Sequence, residues 1–162
     1  MSITEDIRSS LADDWLPDLY QNKIRTQRTR AVDLDIPERE NSVEIQYTLL
    51  GIEIKIGRRR VACPDLATAR YMRIFARLGC RTFAIPYDIT MISPFADELE
   101  TAWQRTLLYL GSATRTKTDR SRAQSRSQLI KAIRNEIARI GPGETMPKFD
   151  RETRQRIPKQ DR

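Results

Sequence analysis

From Val43 to Ile56 the chain alternates apolar and polar residues twice, as Val43-Glu44-Ile45-Gln46-Tyr47-Thr48 and then Ile52-Glu53-Ile54-Lys55-Ile56, with Leu49-Leu50-Gly51 between the runs. A period of two sends successive side chains to opposite faces of a strand, so the pattern predicts a half-buried hairpin over 43–57. Arg58-Arg59-Arg60 then leads into Val61-Ala62-Cys63, a strand near 59–63. Pro64-Asp65 opens a helix that runs to Gly79, and Thr82-Phe83-Ala84-Ile85 reads as a returning strand closed by Pro86. Strand, turn and helix signals follow one another here without a gap. The stretch predicts an α+β fold built on a small, mainly antiparallel sheet.

Three helices accompany that sheet. Ser2-Ile3-Thr4-Glu5 fits a capping box, and Ile3, Ile7, Leu11 and Trp15 recur every four residues, predicting an amphipathic first helix ended by Pro17. Residues 22–41 read as a loop with room for a short edge strand at Val32, Leu34 and Ile36, stopped by Pro37. In the second helix Tyr71, Met72, Ile74, Phe75, Ala76 and Leu78 form one broad apolar arc. Arg70, Arg73 and Arg77 stack on the narrow remaining face, and Gly79 is the expected left-handed stop. Ser93-Pro94 opens a third helix in the favoured order of hydroxyl cap and then proline, with Phe95, Leu99, Trp103, Leu107 and Leu110 on its packing face and Gly111 at its end.

Beyond Gly111 the composition changes. From Thr114 to Arg162 there are 14 Lys/Arg against 6 Asp/Glu, so the net charge of +7 resides in this part of the chain and residues 1–113 sum to −1. Residues 113–127 are rich in Ser, Thr and Arg and read as a linker. Leu129, Ile130, Ile133, Ile137 and Ile140 mark an amphipathic basic helix over 128–141, broken by Gly141-Pro142-Gly143. Residues 142–162 have little to bury and read as a disordered tail. The globular part is thus expected to occupy residues 1–112.

The chain contains no histidine, which removes Ser-His-Asp and Cys-His nucleophile chemistry and most transition-metal sites. Cys63 and Cys80 stand alone, without the spacing of a zinc site, and read as small core residues. No cofactor motif, metal site or membrane span is evident, and Met1-Ser2-Ile3-Thr4-Glu5-Asp6 has neither the basic nor the apolar region of a secretion signal. The expectation is a cytoplasmic protein without a cofactor.

Glu53-Ile54-Lys55 is an E-x-K on a strand, within a predicted order of helix, hairpin, helix and strand. Over residues 3–89 this resembles the core of the PD-(D/E)xK nucleases. The resemblance implies metal binding by an upstream aspartate and Glu53, with Lys55 polarising the attacking water. The family's aspartate lies near the end of the preceding strand, where this chain has Thr48, so Asp35 is the matching acid. Read from the pattern alone, Glu53 and Lys55 are two members of a hairpin's polar face.

The basic residues point elsewhere. Arg58, Arg59 and Arg60, the stripe Arg70/Arg73/Arg77, Arg81, and Arg115, Lys117, Arg120, Arg122 and Arg126 supply guanidinium and ammonium groups suited to phosphate. Aromatic residues are scarce among them, so recognition of a polymer's backbone is expected rather than base stacking. The leading expectation is a non-enzymatic nucleic-acid-associated protein, with RNA ahead of DNA because no helix-turn-helix dimer geometry is visible. The second is a regulatory protein that binds a protein partner through its arginine face and basic tail, and the third is the metal-dependent nuclease. The stripe Leu129, Ile133 and Ile137 suits a groove on a partner protein, and equally a helix folded back on the chain's own core.

Overall fold

The computed structural model describes residues 2–143, and is α+β with two small antiparallel sheets. The part of the predicted disordered tail that falls in 144–162 lies outside the described residues. Helix α1 covers Ile3–Leu11, with the Ser2 hydroxyl accepting from the Glu5 amide at 3.2 Å as the capping pattern predicts. A 3-10 turn follows at Ala12–Asp14. Pro17 does not end the first helical region; it sits in the opening turn of a short helix, α2 (Leu16–Leu19), where its missing N–H costs nothing, and a π turn at Tyr20–Ile24 extends α2.

The strands divide between two sheets instead of forming one. Strands β2 (Val43–Thr48), β3 (Gly51–Ile56) and β4 (Arg59–Cys63) make the predicted hairpin and its third member. Strand β5 (Thr82–Pro86) pairs instead with β1 (Thr29–Asp33), from Thr29 opposite Pro86 to Asp33 opposite Thr82. The first strand therefore falls earlier than the Val32–Ile36 alternation suggested. Leu34 and Ile36 still face the core, but beyond the ladder, where the Leu34 amide donates to the Arg81 carbonyl at 2.6 Å.

Register assigns the two faces of the larger sheet. Ile45 opposes Ile54, which opposes Val61; Val43 opposes Ile56 and Tyr47 opposes Ile52 on the same side. Helix α3 (Leu66–Leu78) packs across this sheet. Asp65 caps α3 by accepting from the Thr68 amide at 2.7 Å, and Gly79 ends it at φ 79°. A Cβ there would lie 2.3 Å from the Arg39 carbonyl oxygen, so both the backbone angle and the close approach require glycine.

Helix α4 (Ile92–Ala113) packs against α3, α1 and α2, and runs straight through Gly111, because its last turns bury Leu110 and Thr114 and that contact outweighs glycine's low propensity. After a five-residue turn comes α5, Asp119–Ile140, capped by Thr118, whose hydroxyl accepts from the Ser121 amide at 3.2 Å. This corrects the reading of 113–127 as a linker: most of that stretch is helix, and α5 begins well before residue 128. Leu129, Ile130, Ile133 and Ile137 belong to the same apolar cluster as Trp15, Tyr20, Phe75 and Phe83, so α5 is built into the core that contains residues 1–112. At the centre, Phe75 and Phe83 stack with centroids 4.4 Å apart, and the Tyr71 hydroxyl donates to the Ala84 carbonyl at 2.6 Å.

Candidate nucleic-acid interface

Most of the arginines singled out by sequence are occupied by carboxylates of the chain itself. Arg70 donates to Glu100 at 2.6 Å and to Asp97 at 2.5 Å, and Arg73 reaches Glu100 at 3.1 Å. Burial pulls the Glu100 carboxyl upward, but the Arg70 and Arg73 guanidiniums outweigh it and hold the group below the usual carboxylate range. Two members of the supposed open stripe thus fasten α3 to α4. Arg60 pairs with Glu53 at 3.1 Å, Arg59 and Arg81 with Asp35, and Arg126 with Glu40. Arg58 is exposed in the β3–β4 turn. Arg77 has no carboxylate partner among the described residues, and burial followed by the neighbouring Arg73 charge lowers its affinity for a proton.

The three residues matched to the nuclease pattern are not brought together. Glu53 and Lys55 project from the outer face of the β2–β3–β4 sheet, where Glu44, Lys55 and Arg60 lie in one cross-strand row. Asp35 is held by Arg59, which opposes Ile56 and so belongs to the other face. Thr48, at the place of the family's aspartate, opposes Gly51, and the Glu53 carboxylate is paired with Arg60. Among the described residues no group of three metal-ligating side chains is present.

The stripe offered for a partner protein is likewise not a free surface. Leu129, Ile133 and Ile137 are buried within the chain, facing α1, α2 and α3. Periodicity identified the apolar face correctly; its cover is the domain itself.

What α5 leaves outside is its opposite face. Arg120, Gln124, Gln128, Lys131, Asn135 and Arg139 are all exposed and recur at steps of three or four, so they form one ridge along the helix. The helix is about 33 Å long. No carboxylate interrupts the ridge between Arg120 and Arg139: Glu136 turns away from it and accepts from Arg8 of α1 at 3.0 Å and from the indole of Trp15, just before α2, at 3.2 Å. Arg134, on the ridge's flank, donates to the Leu78 carbonyl at 2.9 Å and satisfies the end of α3.

The turn between α4 and α5 extends the basic surface. Arg122 donates to the carbonyls of Lys117 at 3.1 Å and Arg115 at 3.2 Å, which folds the turn over the start of α5. Arg115 and Arg120 are exposed beside it and Lys117 is partly so, with no ion pair to any of the three among the described residues. Asp119 is the single acid of this corner, and it lies 3.9 Å from Arg122.

Gln124, Gln128, Lys131, Asn135 and Arg139 were not among the site residues expected from sequence: Gln124 fell in the supposed linker, and the other four lay in the predicted 128–141 helix, which was started too late to align them with Arg120. Thr118-Asp119 as a capping pair and Ser125 four residues before Leu129 were the signals that would have extended it. No protein-family model matches the chain, and neither curated proteins nor solved structures give a match.

Proposed function

We propose that this is a non-enzymatic nucleic-acid-associated protein that holds the phosphate backbone along the outer ridge of α5 and at the α4–α5 corner. One observation carries the reading: a long helix, anchored to the core on one side, presents Arg120, Gln124, Gln128, Lys131, Asn135 and Arg139 on the other with no acid among them. An exposed helix that only needed solubility would mix both signs of charge along this face. Donor-rich side chains without carboxylates suit phosphate oxygens, which only accept. The ridge carries no aromatic ring, so it holds backbone and does not stack bases. Both RNA and DNA offer that chemistry; RNA comes first because nothing among the described residues points to paired recognition helices.

The competing reading, a regulatory protein docking through its arginine face, has less to work with, since Arg59, Arg60, Arg70, Arg73, Arg81 and Arg126 are engaged internally. Fluorescence anisotropy with labelled single-stranded RNA, duplex RNA and duplex DNA tests the proposal. Wild-type protein is expected to bind at low salt, and Arg120→Gln/Lys131→Gln/Arg139→Gln is expected to weaken binding at least tenfold without changing the circular dichroism spectrum. No binding to any polymer, or undiminished binding by the variant, contradicts it.

A further inference from the structure

The β2–β3 turn breaks a local rule. Two-residue hairpin turns are places for Asn, Asp and Gly, yet Thr48 opposes Gly51 and the turn between them is Leu49-Leu50. Both leucines are fully exposed, and Tyr47 beside them is 70% exposed. Nor is the turn loose. The Thr48 hydroxyl accepts from the Leu50 amide and donates to the Gly51 carbonyl, each at 3.2 Å, and Gly51 takes the one positive φ of the turn, 130°. The result is a firm projecting finger with two isobutyl groups at its tip.

The same chain carries an open groove with exposed apolar side chains. Leu11, Leu108 and Tyr109 line a groove of about 440 Å³ between α1 and the end of α4. Leu108 is 73% exposed on its wall. Of the seven large hydrophobic side chains exposed among the described residues, three are on the finger and two on this groove. The groove's charged residues, Asp14 and Arg105, pair with each other and leave it without net charge. The uncharged tip Tyr47–Ile52 suits it, and would gain nothing from an anionic lipid surface, because it carries no cation.

We infer that the Leu49–Leu50 finger of one copy seats in the Leu11/Leu108/Tyr109 groove of a second copy. The contact joins two different surfaces, so it propagates head to tail unless two copies engage reciprocally. Its small area makes it weak between free molecules. It becomes effective where copies are held side by side, since the second contact is then made at high effective concentration. The inference stands independently of what the α5 ridge binds.

Sedimentation of the full chain over a range of concentrations tests it. Wild-type protein is expected to gain mass as concentration rises. Leu49→Asp/Leu50→Asp, which lacks a finger, and Leu108→Asp, which lacks a groove, are each expected to stay monomeric, whereas an equimolar mixture of the two regains association as one-to-one dimers. Ser112→Arg, which fills the groove from its exposed rim, should behave as Leu108→Asp does and guards against a folding defect in that variant. A monomeric wild type at every concentration, association that survives loss of the groove, or a mixture that stays monomeric overturns the inference.

Discussion

Arg126 grips Glu40 with both arms of its guanidinium, Nε to Oε1 at 2.8 Å and Nη2 to Oε2 at 2.6 Å, and so ties α5 to the segment that leads into β2. Both side chains are more than a third exposed, and an ion pair in that setting contributes at most about 1 kcal/mol. Its significance is positional. It marks α5 as part of the domain, while the binding energy of the helix comes from the aliphatic side chains beneath.

Truncation after Gly111 should therefore unfold the protein. Removing Leu129, Ile130, Ile133 and Ile137 forfeits about 1.5–3 kcal/mol of burial for each, a total comparable with the whole stability of an ordinary domain. Ile133→Ala alone should cost about 2–5 kcal/mol, and Glu40→Gln under about 1 kcal/mol. Urea denaturation of the three proteins checks the order; a cooperatively folded fragment ending at Gly111 would show that α5 is dispensable.

Tyr20 should make the fold sensitive to alkali. Its hydroxyl accepts from the Ala84 amide at 2.8 Å and donates to the Gly141 carbonyl at 2.6 Å, linking the centre of β5 to the end of α5. Burial pushes this phenol up to about 12 from an ordinary 10. A folded value above the unfolded one means the stabilisation is complete below about pH 10 and is lost as pH rises toward 12, by about 3 kcal/mol in all. Tyr20→Phe removes both hydrogen bonds, should cost about 1–3 kcal/mol at neutral pH, and should flatten the decline above pH 10. Chemical denaturation as a function of pH reads both effects.

Glu100 should act in the opposite direction of pH. Although burial opposes it, the grip of Arg70 and Arg73 depresses this carboxyl below its unfolded value. Its contribution is therefore present above about pH 4.5 and is lost as pH falls through the lower, folded value. Glu100→Gln should remove that part of the acid dependence and loosen α3 from α4. A variant whose acid transition coincides with the wild type's would show that the cluster adds nothing.

The hairpin and α3 were legible because local pattern and tertiary role agree there: period-two alternation, the Asp65 cap and the Gly79 stop each record one physical requirement. The pairing of β5 with β1 was not legible, since strand partners are chosen by packing that no local window contains. Gly111 misled in a similar way, because buried Leu110 and Thr114 continue the helix past it. The arginine stripe was located correctly by spacing, but Glu100 and Asp97 lie some 30 residues away in sequence and meet it only in the fold. The first half of the α5 ridge was hidden by composition: Ser, Arg and Gln before residue 128 resemble a linker until the helix that aligns them is recognised.

The most direct test of the proposed interface is the salt dependence of nucleic-acid binding, measured for the full chain and for Arg120→Gln/Lys131→Gln/Arg139→Gln. Each phosphate contact contributes about −0.9 to the slope of log K against log salt on duplex DNA, and about −0.7 on single strands. A steep slope is expected for the wild type and a slope shallower by about 2 to 3 for the triple variant, with both proteins equally stable. A wild-type affinity indifferent to salt, or a variant slope equal to the wild type's, would contradict it.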